Sequence, residues 1–193
     1  METASSISAH QATPESFVIP RQTLIVLCGP AGSGKSTFAH RFIKCHYTQG
    51  CRATTIVSSD YCRALICDEV TNQQINRDTF DLFYYIIQKR MFQRSLTIAD
   101  STALIPEARH RLVEMARRQQ FTTCLVVFNM SLQTCIARDR EASRGRVVGE
   151  QVIAYHIKQL QRVLREIPHE GWNRIYILDD QHPDLNLTIG EEK

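Results

Sequence analysis

Four short stretches hold the residues best suited to chemistry. Gly29-Pro30-Ala31-Gly32-Ser33-Gly34-Lys35-Ser36, followed by Thr37, fits the pattern G-x-x-x-x-G-K-[ST] at every fixed position. Glycines let a backbone turn successive N–H groups inward around phosphate oxygens, and the helix N-terminus that follows adds a favourable partial charge. In this pattern the lysine reaches the β- and γ-phosphates and the hydroxyl ligates Mg²⁺. Gly29, Gly32, Ser33, Gly34, Lys35, Ser36 and Thr37 are therefore the expected phosphate-binding residues, with ATP or another NTP as cofactor and Ser36 as the Mg²⁺ ligand.

Asp60 and Arg63 form the second stretch. Three residues apart at the start of a predicted helical turn, they can face one cleft. A carboxylate there can accept the proton of an attacking hydroxyl, while a guanidinium orients the acceptor or meets a transferring phosphoryl group. A surface ion pair at a helix start would share the same spacing. The third is Asp100, which ends an apolar run where the metal-associated carboxylate of phosphate-loop enzymes sits. A helix cap supplied by Asp100 or Thr102 fits the residues equally well. In the fourth, Arg138, Arg140, Arg144 and Arg146 lie close together beside Gly145 and Gly149. A mobile lid could bring such cations to the negative charge that spreads over a γ-phosphate during transfer. A solvated helix face is the alternative.

Regular elements must hold these stretches in place. Thr23–Cys28 reads as a buried strand, and Phe38, Phe42 and Ile43 have helical spacing after the loop. The β-branched run at 53–58 predicts a second strand leading into helical spacing at Ser59–Arg63. After a polar loop over 67–77, Phe80, Phe83, Tyr84, Ile87 and Met91 predict a helix over 78–95. A short strand at 96–100 and a helix opened by Pro106 follow. Then come a strand at 123–128, a helix capped by Ser131, and a long helix ending near Ile167 with Val152, His156, Leu160 and Val163 on one face. The last strand is expected at 174–178. This alternation predicts an α/β fold with a five-stranded parallel sheet flanked by helices on both faces. Ligands then bind beyond the carboxyl ends of the strands, which is where the phosphate loop, Asp60 and Asp100 fall.

Composition bounds the rest. The chain has 193 residues, 43% hydrophobic and 22% charged, with a formal net charge of +3, as expected of one globular domain. Residues 1–20 are small and polar and predict a disordered leader; 183–193 predict a mobile tail. No apolar run reaches the length of a membrane span, and the first residues lack the order of a signal peptide. Seven scattered cysteines without a metal-like spacing point to a reduced, cytoplasmic setting.

With these residues assembled, the sequence resembles the kinase module of bacterial polynucleotide 5′-hydroxyl kinases, which belong to RNA end-healing and sealing enzymes. Ser58-Ser59-Asp60-Tyr61-Cys62-Arg63 matches the family's Ser-Ser-Asp-aromatic-Cys-Arg element, which is far more specific than a phosphate loop alone. Ala99-Asp100-Ser101-Thr102 is similar to its Asp-Ala-Thr-Asn strand end, with Arg109 at the place of a following arginine. Val126-Val127-Phe128-Asn129, Cys135 and Arg138 resemble its run into the lid, and Gly171 through Leu178 its closing strand. The resemblance covers about residues 20–180 and implies a P-loop kinase domain over 21–182 with its lid at about 138–149. It implies Asp60 as general base toward a 5′-hydroxyl, Arg63 on acceptor and transferring phosphate, and Lys35 and Arg138 on the γ-phosphate. The acceptor would be a 5′-OH polynucleotide, RNA or DNA, with no membrane partner. Ala103 stands where the family has asparagine, and the spacing after Arg138 differs, so Arg140, Arg144 and Arg146 have no individual match. No phosphatase or ligase part is seen in the sequence, so separate proteins are expected to supply those activities. A small-molecule or tRNA-linked kinase of the same fold is the alternative, and a nucleotide-driven switch or binding module is the reading from another class.

Overall fold

The computed structural model describes residues 16–141 and 147–190. β2 (Thr23–Cys28) is buried at all six positions, as a central strand covered on both faces must be. It lies between β4 (Thr97–Asp100) and β5 (Thr122–Asn129), with β3 (Ile56–Ser58) and β6 (Arg174–Asp179) at the edges. All four pairings are parallel, giving the expected five-stranded sheet in the order β3-β4-β2-β5-β6. Register aligns the strand ends that matter: Leu27 pairs with Asp100, and Ser58 pairs with Asp100 from the other side.

Side chains alternate across the sheet, so two cores form. Leu24, Val26 and Cys28 pack with Phe83, Ile87 and Met91 of α3 (Asn76–Phe92), Leu112 of α4 (Pro106–Arg118), and Leu160 and Val163 of α6 (Glu150–Glu166). Ile25 and Leu27 face Phe38 and Phe42 of α1 (Lys35–Cys45) and Cys135 of α5 (Leu132–Asp139), together with Ile153 of α6. α2 (Ser59–Cys67) follows β3 directly. The inward face of α6 is Ile153, Leu160 and Val163, whereas Val152 is exposed, a correction of one residue to the predicted stripe.

Two further differences from the sequence expectations have local causes. Ala53–Thr55 forms a 3₁₀ turn ahead of β3, although its β-branched residues predict strand. The Thr55 hydroxyl accepts a hydrogen bond from the Arg52 backbone N–H at 3.0 Å, and side chain-to-backbone bonds of this kind compete with a sheet ladder. Secondly, β1 (Ser16–Ile19) and β7 (Asn186–Ile189) fall inside the expected leader and tail, yet they pair in parallel as a separate two-stranded sheet. Burial explains it. Ile19 and Leu187 enter the core beneath α1, and Leu185, Leu187 and Ile189 carry the period-2 pattern of a half-buried strand. Arg174 Nη1 donates to the Val18 carbonyl and ties this pair to β6. Residues 1–15 of the expected leader, 191–193 of the expected tail, and lid residues Arg144, Gly145 and Arg146 lie outside the described residues. Among the described residues no helix is long and apolar enough to cross a membrane.

Candidate active site

The phosphate loop joins β2 to α1 and depends on glycine at two positions. Gly34, with φ +100°, is the N-cap of α1, and Gly32 has φ +77°. A Cβ on Gly32 would lie 2.2 Å from the Cys135 carbonyl oxygen, so glycine here lets α5 pack directly against the loop. Ser131 starts α5 by accepting from the Thr134 N–H. Two turns on, Arg138 Nη1 reaches the Ser33 carbonyl at 3.1 Å and sits 3.3 Å from where a Gly34 Cβ would be. The structure thus brings Arg138 onto the phosphate loop across 105 residues of sequence.

Inside the loop, Lys35 Nζ donates to the carbonyls of Gly29 (2.9 Å) and Pro30, and to Ser33 Oγ at 3.4 Å. Ser33 is buried, while Ser36 and Thr37 are exposed in the first turn of α1, whose leading N–H groups have no intrahelical partners. Ser36 Oγ donates to Asp100 Oδ2 at 2.8 Å. Of the two sequence readings of Asp100, the helix cap is excluded. α4 begins after Ile105 with no side-chain cap, so Asp100 does not cap it. Burial pushes the Asp100 carboxyl above its ordinary range; the Lys35 charge and the Ser36 hydroxyl pull it back down, and Asp60 raises it.

A hydroxyl and a carboxylate at this separation are hard oxygen donors suited to Mg²⁺. Among the described residues no group of three or more His, Cys, Asp or Glu side chains is gathered as a metal site. A cation here would therefore take its other ligands from phosphate oxygens and water, as Mg²⁺ does.

One strand further out stand Asp60, in the first turn of α2, and Arg63, in the next; Ser58 caps this helix by accepting from the Tyr61 N–H. Arg63 Nη1 meets Asp60 Oδ1 at 3.0 Å, with the Arg63 side chain 5% exposed and that of Asp60 56% exposed. This is not a loose surface pair. The guanidinium is anchored in the protein and its carboxylate partner is held within reach of solvent.

The other arginines separate into distinct roles. Arg109 is wholly buried and is bound by Glu170 (Nη2 at 2.6 Å, Nε to both oxygens at 3.0 Å), by Glu166 at 2.9 Å and by the Ala103 carbonyl at 3.1 Å. Burial opposes its charge, but the Glu170 bonds outweigh this and hold its pKa above the ordinary arginine range. Ala103 has φ +46°, and its carbonyl also accepts from Cys28 Sγ at 3.4 Å. That thiol stays protonated, since burial pushes it up to about 12. Beside this turn the Thr102 carbonyl accepts from the Gly29 N–H at 3.0 Å, so Arg109 supports the start of the phosphate loop from behind. Arg140 pairs with Glu150 at 3.5 Å on the surface. Buried Asp139 accepts from the N–H groups of Val148 and Gly149, closing the base of the expected lid and starting α6.

Two contacts have no sequence signal. His156 Nδ1 accepts from the Ala31 N–H of the phosphate loop at 3.4 Å, although its spacing assigns it to the apolar face of α6. Asn76, in what reads as polar loop, accepts from Arg63 Nη2 at 2.7 Å.

A central strand, phosphate loop and helix, with a hydroxyl–carboxylate pair beside them, define the class: a P-loop phosphotransferase domain of α/β kinase fold, built to bind a nucleoside triphosphate. The chain belongs to the AAA domain family, whose model matches residues 24–167. Among solved structures it is similar to a chain of the Pnkp1/Rnl/Hen1 RNA repair complex, with TM-score 0.63 and 21% identity, covering 77% of this chain and 47% of that one. It is also similar to a gluconokinase from Sinorhizobium meliloti 1021 (TM-score 0.53, 18% identity, 83% and 84% covered). A third is the Mycobacterium tuberculosis APS kinase CysC in complex with AMPPNP and APS (TM-score 0.52, 18% identity, 65% and 72% covered). The chain spans about half the length of the repair-complex chain, and at these identities the likeness is one of fold. No curated protein matches the sequence.

Proposed function

We propose that this chain is an ATP-dependent polynucleotide 5′-hydroxyl kinase acting in nucleic-acid repair in the cytoplasm. The observation that carries the reading is the Asp60–Arg63 pair, with its half-exposed carboxylate at the end of the strand that flanks Asp100. A switch or binding module has no need of a base placed toward an acceptor. The Ser58–Arg63 element and the fold shared with the RNA repair chain favour a polynucleotide end as that acceptor.

In this mechanism the loop N–H groups and Lys35 hold the β- and γ-phosphates. Ser36 and Asp100 would hold Mg²⁺, which supplies neutralisation of phosphate charge when bound. Asp60 accepts the proton of the 5′-hydroxyl as its oxygen bonds to the γ-phosphorus, and the bond to the bridging oxygen breaks to release ADP. Arg63 keeps the carboxylate oriented, and Arg138, already lying across Ser33 and Gly34, supplies positive charge where the transferring group develops its own. Phosphatase and ligase steps would come from separate proteins.

The test is transfer of labelled γ-phosphate to a 5′-OH oligonucleotide, run beside gluconate, adenosine phosphosulfate and nucleosides as acceptors. Label on the oligonucleotide supports the reading. Label on a small acceptor alone overturns it in favour of a small-molecule kinase, the fold of which is equally at hand.

A further inference from the structure

The Arg63 guanidinium is gripped on several sides. Nη1 donates to Asp60 Oδ1 at 3.0 Å and to the Val70 carbonyl at 3.4 Å, while Nη2 donates to Asn76 Oδ1 at 2.7 Å. Nε is buried and has no hydrogen-bond partner among the described residues. A buried donor without a partner is unfavourable, so an unrestrained guanidinium would turn to satisfy it. The shortest contact opposing that turn is the one from Asn76, the only one made by Nη2 among the described contacts of Arg63. Asn76 is itself held in place: its Nδ2 donates to Gln73 Oε1 at 3.1 Å, and it opens α3, a 17-residue helix packed against the sheet.

We propose that Asn76 is a positioning residue for phosphoryl transfer, fixing the tilt of the Arg63 guanidinium so that Nη1 stays on Asp60. The assignment rests on Asp60 being the base, as read above. Each Nη carries two hydrogens. With Nη1 bonded twice, Asn76 takes one hydrogen of Nη2 and sets the direction of the other, which is left for an oxygen of the acceptor or the transferring group. Asn76 touches neither substrate, and acts through Arg63.

Asn76→Ala and Asn76→Asp separate this role from simple tethering of the 68–75 loop. Asn76→Ala is expected to lower kcat on a 5′-OH oligonucleotide by about 10- to 100-fold, the range in which small misplacements act. The KM for ATP should stay within about twofold, because the phosphate loop is untouched. Asn76→Asp keeps an acceptor oxygen for Nη2 and should stay within about threefold of wild type. The proposal is overturned if folded Asn76→Ala turns over at the wild-type rate, if Asn76→Asp is as impaired as Asn76→Ala, or if Asn76→Ala is unfolded at the assay temperature. A second readout does not depend on the acceptor. The Arg63 Nη protons should give slowly exchanging NMR signals in wild type and Asn76→Asp, and lose them in Asn76→Ala. If wild type transfers nothing to the oligonucleotide, the polynucleotide reading fails while these signals still decide the role of Asn76: their persistence in Asn76→Ala would overturn it.

Discussion

Replacing Asp100 with asparagine is expected to stabilise the nucleotide-free protein while removing most of its activity. Asp100 is buried, and burial raises its pKa despite the Lys35 charge and the 2.8 Å bond from Ser36. A carboxyl whose folded pKa is raised favours the fold in its neutral form; that contribution is complete below the unfolded pKa and is lost as pH rises through the folded one. Once pH has risen through that folded pKa, the wild type carries a buried charge that asparagine, a neutral isostere still able to accept from Ser36, does not. A gain on the order of 1 kcal/mol is typical of relieving such a functional strain. For a chain of this size that corresponds to a rise in Tm of about 2–4 °C. The gap between the two proteins should close as pH falls toward the ordinary carboxylate pKa of about 3.9, where the wild-type group is neutral as well. With Mg·ATP at a hundredfold excess over its Kd, wild type gains about 2.7 kcal/mol, and the Mg²⁺-dependent part of that gain should vanish in Asp100→Asn. Turnover should fall at least about 100-fold. Thermal melts at pH 7 and pH 4, with Mg·ATP or EDTA, read all of this. A variant that melts below wild type at pH 7 without nucleotide, or one that keeps turnover within tenfold, would refute the reasoning.

Three other substitutions probe how the site is supported. Arg109→Ala leaves the Glu170 carboxylate, 3% exposed, without its cation, and should cost about 3–5 kcal/mol in urea unfolding; a loss under about 1 kcal/mol would count against the buried network. Leu187→Ala removes a buried side chain that β7 delivers beneath α1, and should cost about 2–5 kcal/mol in the same experiment, where a mobile tail would cost nothing. Gly32→Ala would place a Cβ 2.2 Å from the Cys135 carbonyl at φ +77°, so nucleotide binding followed by fluorescence titration should weaken at least tenfold. Unchanged affinity would mean that α5 does not need its close approach to the loop.

What could be read from the sequence was local in origin. β2, the phosphate loop and α1 follow from a buried run, fixed glycines and helical spacing within 23 residues, and the start of α2 follows from the helical spacing at Ser59–Arg63. Asp100 stayed ambiguous because its meaning lies in a hydroxyl 64 residues earlier, which only the sheet register brings to it. Arg109 shows the same limit: its partners Glu166 and Glu170 come 57 and 61 residues later on a different helix and turn. β1 and β7 were missed for another reason. Four-residue strands beside polar termini are outweighed by composition, although the alternation of Leu185, Leu187 and Ile189 was a usable sign. Asn76 had none, since an asparagine in a polar stretch looks the same whether or not an arginine is folded over it.

The most direct measurement of the central claim is the position and rate of label transfer from γ-labelled ATP to a 5′-OH oligonucleotide, by wild type and by Asp60→Ala. Label is expected in a terminal 5′-phosphate, removable by a phosphatase. Asp60→Ala should transfer it at least about 100-fold more slowly, with nucleotide affinity unchanged. An Asp60→Ala protein that labels the oligonucleotide at the wild-type rate would contradict the base assignment, and a wild-type protein that labels no oligonucleotide would contradict the function.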